Sequence, residues 1–301
     1  MSTTLRNYKI MLIQMRIKLL MKVLLPRVLR VVLYKLYYSC SRIVNLAIFW
    51  CFRSFRGDCL YNHKLGVKFY IPNFRSFERA RYAHQKEPIT RHFISELAEG
   101  STFWDIGSNI GLFGILGAKR KGVKTVCFEP LPANFFILAK NVELNPEVSE
   151  QIVIVPLPLT NVSRVEALCC PLTEAGYSGV QFGRSIDESG NEFENPIKIN
   201  LLGMTGASVS EILPNGFSRP THIKLDVDGI ELEILHGLGD LLRNDALRAV
   251  LVEININLQE NYFAIQKLLN DNGFYNDVGD REQTVLAHSD PSCYNYIFRR
   301  A

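Results

Sequence analysis

Two rhythms of apolar residues organise the chain. Between residues 60 and 72, Leu65, Val67, Phe69 and Ile71 alternate with polar neighbours, the period-two signature of a short hairpin, and from Ile89 to Leu97 the spacing turns helical. From Thr102 onward the rhythms alternate: strand Thr102–Ile106, helix Gly111–Lys121, strand Thr125–Phe128, helix Pro132–Leu144, strand Ile152–Leu157. Parallel strands need crossover helices, so this order predicts one half of a doubly wound α/β sheet. A second half reads as strand His222–Asp226, helix Glu231–Leu242, strand Ala249–Ile254, helix Tyr262–Asn272, and two strands near Thr284–Ala287 and Tyr294–Arg299 whose short link predicts an antiparallel hairpin. Between the halves, Val165–Pro171 and Ile197–Leu202 read as added strands around 176–195, a stretch rich in Gly, Ser, Asp, Glu and Asn.

Residues 1–57 follow neither rhythm of the sheet. Pro26 suits the first turn of a helix, and beyond it Arg27, Arg30, Lys35, Arg42, Arg53 and Arg56 fall within an arc of about 140° on a helical wheel. Leu29, Val32, Leu33, Leu36, Ile43, Val44 and Ala47 lie opposite, an arrangement suited to an anionic membrane interface through residues 27–57. The longest uncharged apolar run, Ile43 to Phe52, is too short to span a bilayer, and charge recurs too often for a signal peptide. Helix packing on the protein itself and a transit peptide are the competing readings. The expected organisation is a basic amphipathic helical leader (1–57), a hairpin and helix (58–100), and a catalytic domain (101–301) in which 172–221 is a substrate-cap insertion.

Charge sharpens this division. The net charge of +4 over 301 residues conceals 11 Lys or Arg and no acid in 1–57, against 23 basic and 30 acidic residues in the remainder. A mildly acidic domain speaks against nucleic acid as the partner and favours a neutral acceptor and a cationic ligand. The seven cysteines include no CxxC or Cys/His spacing, so neither a disulfide framework nor a zinc site is expected, and a cytoplasmic protein, peripheral on the inner face of a membrane, is the default.

Open parallel sheets bind ligands where strands end, and three strand ends here are polar. The first runs through Asp105-Ile106-Gly107-Ser108-Asn109-Ile110-Gly111, whose glycines allow close backbone approach and whose Asp105 can meet a cationic group. The absence of G-x-G-x-x-G counts against a dinucleotide. Glu129 ends the second strand, where an acid can accept from both hydroxyls of a ribose, so the pattern favours a nucleoside. At the third end, period-two geometry places Lys224 and Asp226 on one face of an otherwise apolar strand, either as a structural ion pair or as a pair facing the cleft.

Four stretches in order, Asp105–Gly111, Phe128-Glu129-Pro130 with Asn134 and Asn145, Ile223–Glu231, and Val252-Glu253-Ile254-Asn255, resemble the motifs of FkbM-type S-adenosylmethionine-dependent methyltransferases over about residues 60–300. Ser108 stands where that family commonly has Ala, and Asp228 where it commonly has Glu. The resemblance implies a Rossmann-like class I methyltransferase sheet of seven strands with the last antiparallel, S-adenosylmethionine as donor, and a hydroxyl acceptor, often on a sugar. It implies that Asp105, Gly107, Asn109 and Gly111 surround the methionine part of the donor and that Glu129 holds its ribose; Thr160 and Asn161, after the third strand, lie either toward the adenine or in a turn with an Asx hydrogen bond.

A hydroxyl is a poor nucleophile while protonated, so a carboxylate beside it would act as general base. Asp226 is the first candidate, with Glu231 and Glu253 as helpers that orient base or substrate; Glu231 could instead favour a helix N-terminus and Glu253 pair with a cation. His222, at the strand's entry, reads as structural, Asn134 and Asn145 as capping or packing residues, and no complete oxygen-ligand set for a metal is visible. Tyr177, Phe182, Arg184 and Phe193 could contact a glycan. Two other classes compete with the methyltransferase: a nicotinamide-dependent oxidoreductase on a similar sheet, and a non-catalytic membrane-attached binding protein with a degenerate domain.

Overall fold

The structure is a computed structural model that describes residues 43–50, 58–85, 87–186, 191–255, 259–276 and 293–300. The chain divides into two compact units, Met1–Gly57 and Asp58–Ala301. In the first, residues 43–50 form helix α1, which buries Asn45 and Phe49 and exposes Ile43, Val44, Leu46 and Trp50. The basic residues expected on one helical face lie outside the described residues. Among the described residues no helix is long and apolar enough to cross a membrane.

The second unit opens with the expected hairpin, β1 (Cys59–Asn62) and β2 (Val67–Tyr70), paired antiparallel. Helix α2 (Phe74–Tyr82) follows, started by a capping box in which the Asn73 side chain accepts from Ser76 N and the Ser76 hydroxyl answers the Asn73 N–H. The apolar pattern does not announce α2: only Ser76, Phe77 and Ala80 are buried, and apart from the half-buried Phe74 and Tyr82 the rest of its surface is charged. Helix α3 (Pro88–Ser95) starts with proline at its first turn.

Seven strands form the main sheet: β3 (Thr102–Ile106), β4 (Lys124–Phe128), β5 (Ile152–Val155), β9 (His222–Leu225), β10 (Ala249–Asn255), β11 (Phe274–Asn276) and β12 (Cys293–Arg300). Their order is β11-β12-β10-β9-β3-β4-β5, and β12 runs antiparallel to both β10 and β11 while the neighbours from β10 to β5 are parallel. This is the Rossmann-like sheet of class I methyltransferases. The connecting helices are α4 (Leu112–Ala118), α5 (Pro132–Leu144), α6 (Gly206–Ile212), α7 (Glu231–Leu238) and α8 (Gln259–Asp271). The expected strand near Thr284–Ala287 lies outside the described residues, and a strand the sequence reading did not include, Phe274–Asn276, follows α8 directly. The helix expected to reach Leu242 ends at Leu238, where Gly239 at φ 53° turns the chain into a 3₁₀ segment.

On one face of the sheet Trp104, Ile106, Ile223, Leu225, Val250 and Val252 pack with Ile234, Leu235 and Ile265 of the helices, and on the other Phe103, Cys127, Leu251 and Ile297 are buried as well. Each fully buried side chain of this size contributes about 1.5–3 kcal/mol. A smaller antiparallel sheet, order β7-β6-β8, is built from β6 (Arg164–Cys170), β7 (Gln181–Phe182) and β8 (Ile197–Gly203), and Leu168 and Phe182 tie it into the same core. The added strands were legible; the two-residue β7 is too short for any period.

Candidate functional site

The sheet reverses its winding between β3 and β9, and a cleft lies at their C-terminal ends, as expected for a switch point. It is lined by Gly107, Asn109, Glu129, Pro130, Asn134, Leu157 to Leu159, Asp226 to Asp228 and Ile230. From outside the main sheet come Arg79 of α2 and Tyr177, Ser178, Val180 and Phe182 of the insertion.

The loop after β3 is shaped by backbone demands. Gly107 and Ser108 both donate their N–H to Phe128 O at 3.0 Å, which folds the loop across the end of β4. At Gly107, φ is 84° and a Cβ would fall on the carbonyl oxygen of Asp226, so only glycine lets the ends of β3 and β9 approach this closely. Gly111, at φ 82°, faces Leu138 of α5 and not the cleft. Asn109 takes φ 50°, a conformation asparagine tolerates, and its N–H donates to Glu129 Oε2 at 2.7 Å.

Glu129 is therefore a hub. Its Oε1 accepts from Leu131 N at 2.9 Å, and Asn134 Nδ2 lies 3.5 Å from the same oxygen. Only 5% of the residue is exposed. Burial raises its carboxyl to about 7 even though these hydrogen bonds pull it down.

A row of charges runs beneath the cleft. Parallel register places Asp105 of β3 opposite Lys224 of β9, and Lys224 Nζ sits 3.9 Å from Asp105 Oδ1 and 2.7 Å from Asp226 Oδ2. Burial opposes the charge on Lys224, but Asp226 and Asp105 outweigh it and hold the ammonium above its ordinary range. Asp105 is fully buried, and burial raises its carboxyl to about 6 although Lys224 pulls it down. Glu253 continues the row beyond Asp226: burial and the adjacent, hydrogen-bonded Asp226 carboxylate hold its carboxyl well above the usual range. Of these four residues Asp226 alone lines the cleft.

The sequence candidates thus separate. Gly107, Asn109, Glu129 and Asp226 meet at the cleft; Asp105 and Glu253 reach it only through Lys224 and Asp226. Glu231 is 4% exposed, and its Oε1 accepts from Gly229 N at 2.9 Å, so it holds the turn that follows Asp226. Thr160 and Asn161 do not line the cleft: Arg164 Nη1 donates to Thr160 Oγ1 at 2.8 Å and to Asn161 Oδ1 at 3.0 Å, anchoring the start of β6. His222 is buried against Phe93, and burial lowers it to about 4. Asn145 packs as expected, bonding Lys68 of β2 through both amide atoms. Asn134 does more: it lines the cleft and grips Gly176 N at 2.7 Å and Tyr177 O at 2.9 Å.

Comparison with known proteins adds relatives to this picture. The chain is 26% identical over 193 residues to the hexuronic acid methyltransferase AglP of Haloferax volcanii, covering 63% of this chain and 70% of that one. It is 29% identical over 213 residues to the methyltransferase sdnD of Sordaria araneosa, covering 80% of it. Among solved structures, the methyltransferase FkbM of Methylobacillus flagellatus superposes with a TM-score of 0.47 at 13% identity, over 75% of this chain. The chain spans about half of that structure's length, 53%. No protein-family model matches the chain.

The cleft residues fit an adenosine-bearing methyl donor. Asn109 Oδ1 is buried and has no hydrogen-bond partner among the described residues, an acceptor available to an ammonium or hydroxyl. Glu129 Oε2 keeps a lone pair that a ribose hydroxyl would suit, and Leu157, Pro158, Leu159 and Phe128 form an apolar wall against which a planar base would fit. Among the described residues there is no cluster of three or more His, Cys, Asp or Glu arranged to hold a metal.

Sequence reasoning did not single out Arg79 or Asp228 for the cleft. Asp228 carries φ 61°, and its Oδ2 accepts from Gly179 N at 2.8 Å. The signal for Asp228 was present in the Asp226-Val227-Asp228-Gly229 run; for Arg79 there was none, because its place depends on how α2 docks.

Proposed function

We propose that this chain is an S-adenosylmethionine-dependent O-methyltransferase whose acceptor is a hydroxyl of a sugar or glycan. The observation that carries the reading is Glu129 at the end of β4, bound to the Asn109 N–H of the glycine loop and facing the cleft. The two methyltransferase relatives support the transfer, and the Haloferax protein, named for a hexuronic acid, supports the sugar class of acceptor.

When bound, S-adenosylmethionine supplies an electrophilic methyl group on a sulfonium. Gly107 and Asn109 cradle its methionine part, and Glu129 accepts from its ribose hydroxyls. Asp226 takes the proton from the acceptor hydroxyl as its oxygen gains the methyl. Lys224 and Glu253 fix the direction of the Asp226 carboxylate, while Asp105 balances Lys224 from the other side; these are positioning residues. Segment 172–221 serves as the acceptor cap and excludes water through Tyr177, Val180 and Phe182.

The leader holds the enzyme at an anionic membrane surface through residues 27–57. The exposed Ile43, Val44, Leu46 and Trp50 of α1 support this, and liposome flotation of the chain with and without 1–57 tests it, equal partitioning counting against it. Calorimetry with S-adenosylhomocysteine and with NADH tests the main reading. Micromolar binding of the thioether and none of NADH is expected; the reverse result assigns the sheet to a nicotinamide enzyme, and binding of neither indicates a degenerate domain.

A further inference from the structure

We infer that Arg79 binds the α-carboxylate of the methyl donor, a specificity-determining contact supplied by helix α2 from outside the nucleotide-binding sheet; this rests on the methyltransferase reading above. Three acids line the cleft, Glu129, Asp226 and Asp228, and Arg79 is the one Lys or Arg that does so among the described residues. The donor carries two positive groups, sulfonium and ammonium, and a single negative one. A carboxylate taken out of water is held most strongly by a charge-assisted pair, and Arg79 is the cation that this lining offers it.

Lys224 does not meet that need. It is 1% exposed, lies behind Asp226, and is shared between Asp226 and Asp105. Arg79 shares the cleft lining with Glu129, Asp226 and Asp228, and its side chain is tied to Gly176 and Ser178 of the insertion. Its guanidinium makes no ion pair within 4.0 Å among the described residues. Nε donates to Gly176 O at 2.6 Å and Nη2 to Ser178 Oγ at 3.3 Å, and Nη1 has no hydrogen-bond partner among the described residues. A guanidinium held at one edge by backbone presents its remaining N–H groups in a fixed direction, the arrangement that suits a planar carboxylate. Because the same side chain holds Gly176 and Ser178, donor binding and the placement of 176–178 would be joined through one residue.

The test is a double-mutant cycle between protein and ligand, read by calorimetry. The full chain and Arg79→Ala are titrated with S-adenosylhomocysteine and with S-adenosyl-3-thiopropylamine, the same thioether without its carboxylate. The expected result is a loss of about tenfold or more for S-adenosylhomocysteine in Arg79→Ala, little change for the amine, and partial recovery in Arg79→Lys. Equal losses for both ligands would assign Arg79 to the support of 176–178 alone and overturn the inference. Unchanged S-adenosylhomocysteine binding would overturn it in favour of an acidic acceptor. If the unmutated chain binds neither thioether, the methyltransferase reading falls, and the inference with it.

Discussion

Lys224 Nζ lies 2.7 Å from Asp226 Oδ2, and Asp226 is the member of the buried charge row that faces the cleft. The ammonium thus holds the candidate base by its inner oxygen and sets the direction of the carboxylate. Removing it should be costly, because Asp105 and Asp226 would then share a buried site with no cation. Lys224→Met is expected to lower stability by about 3–5 kcal/mol in urea unfolding at pH 8. Because the Asp105 carboxyl takes up a proton below about 6, the loss should shrink at pH 5. An equal loss at both pH values would show that Lys224 matters for packing and not for charge.

Asp226→Asn keeps the shape of the side chain and its contact with Lys224 but cannot take a proton. Single-turnover assays should show transfer slowed by about 10²–10⁴-fold with S-adenosylhomocysteine affinity within a few-fold of normal. Glu253→Gln, one residue further along the row, should lower turnover less and shift its pH profile. If Asp226→Asn turns over normally, the base lies elsewhere.

Glu129 should make donor binding depend on pH. Its carboxyl titrates at about 7 in the free protein, and ribose hydroxyls donate to the ionised form. Binding therefore expels a proton at low pH, and the affinity for S-adenosylhomocysteine should fall by up to about tenfold per pH unit below 7. Glu129→Gln should bind more weakly at pH 8 and lose this slope. A slope that survives the substitution would belong to another group.

Glu231 offers a test of stability without chemistry. Burial raises its carboxyl from 4.5 to about 7, so between those values the folded chain keeps a proton that the unfolded chain has released. Stability is then lost as pH rises through that window, by about 3 kcal/mol in full above 7. Glu231→Gln keeps an acceptor for the Gly229 N–H and removes the charge. Its melting temperature relative to the parent should rise between pH 5 and pH 8; parallel curves would show that the carboxylate is solvated.

The main sheet was legible because its strands are continuous apolar runs ended by polar residues, and Asp105, Glu129 and Asp226 stand out only against that background. The sixth strand was not. In Phe274–Asn276 one residue is buried, too few for a period, and its place follows from pairing with β12 and not from its own pattern. Helix α2 and its Arg79 escaped for a related reason: its buried face is narrow, and the apolar residues that flank it read equally well as loop. Cross-strand register explains the other shift. Asp105 reads as a cleft residue by its place at a strand end, but β9 sets Lys224 directly opposite, so its carboxylate meets that ammonium below the cleft floor.

Segment 174–182 is held mostly by its main chain. Asn73 Nδ2 donates to Ala175 O, Arg79 Nε to Gly176 O, and both Asn109 Nδ2 and Asn134 Nδ2 to Tyr177 O, while Gly176 N and Gly179 N donate to Asn134 and Asp228. Such anchors do not read side-chain identity. Gly176 and Gly179, at φ 83° and 82°, and the buried Phe182 are fixed by the fold, but the side chains of Tyr177 and Val180 can be exchanged without unfastening these bonds, so a lineage could change what the cleft accepts while the parts that grip Glu129 and the glycine loop stay as they are.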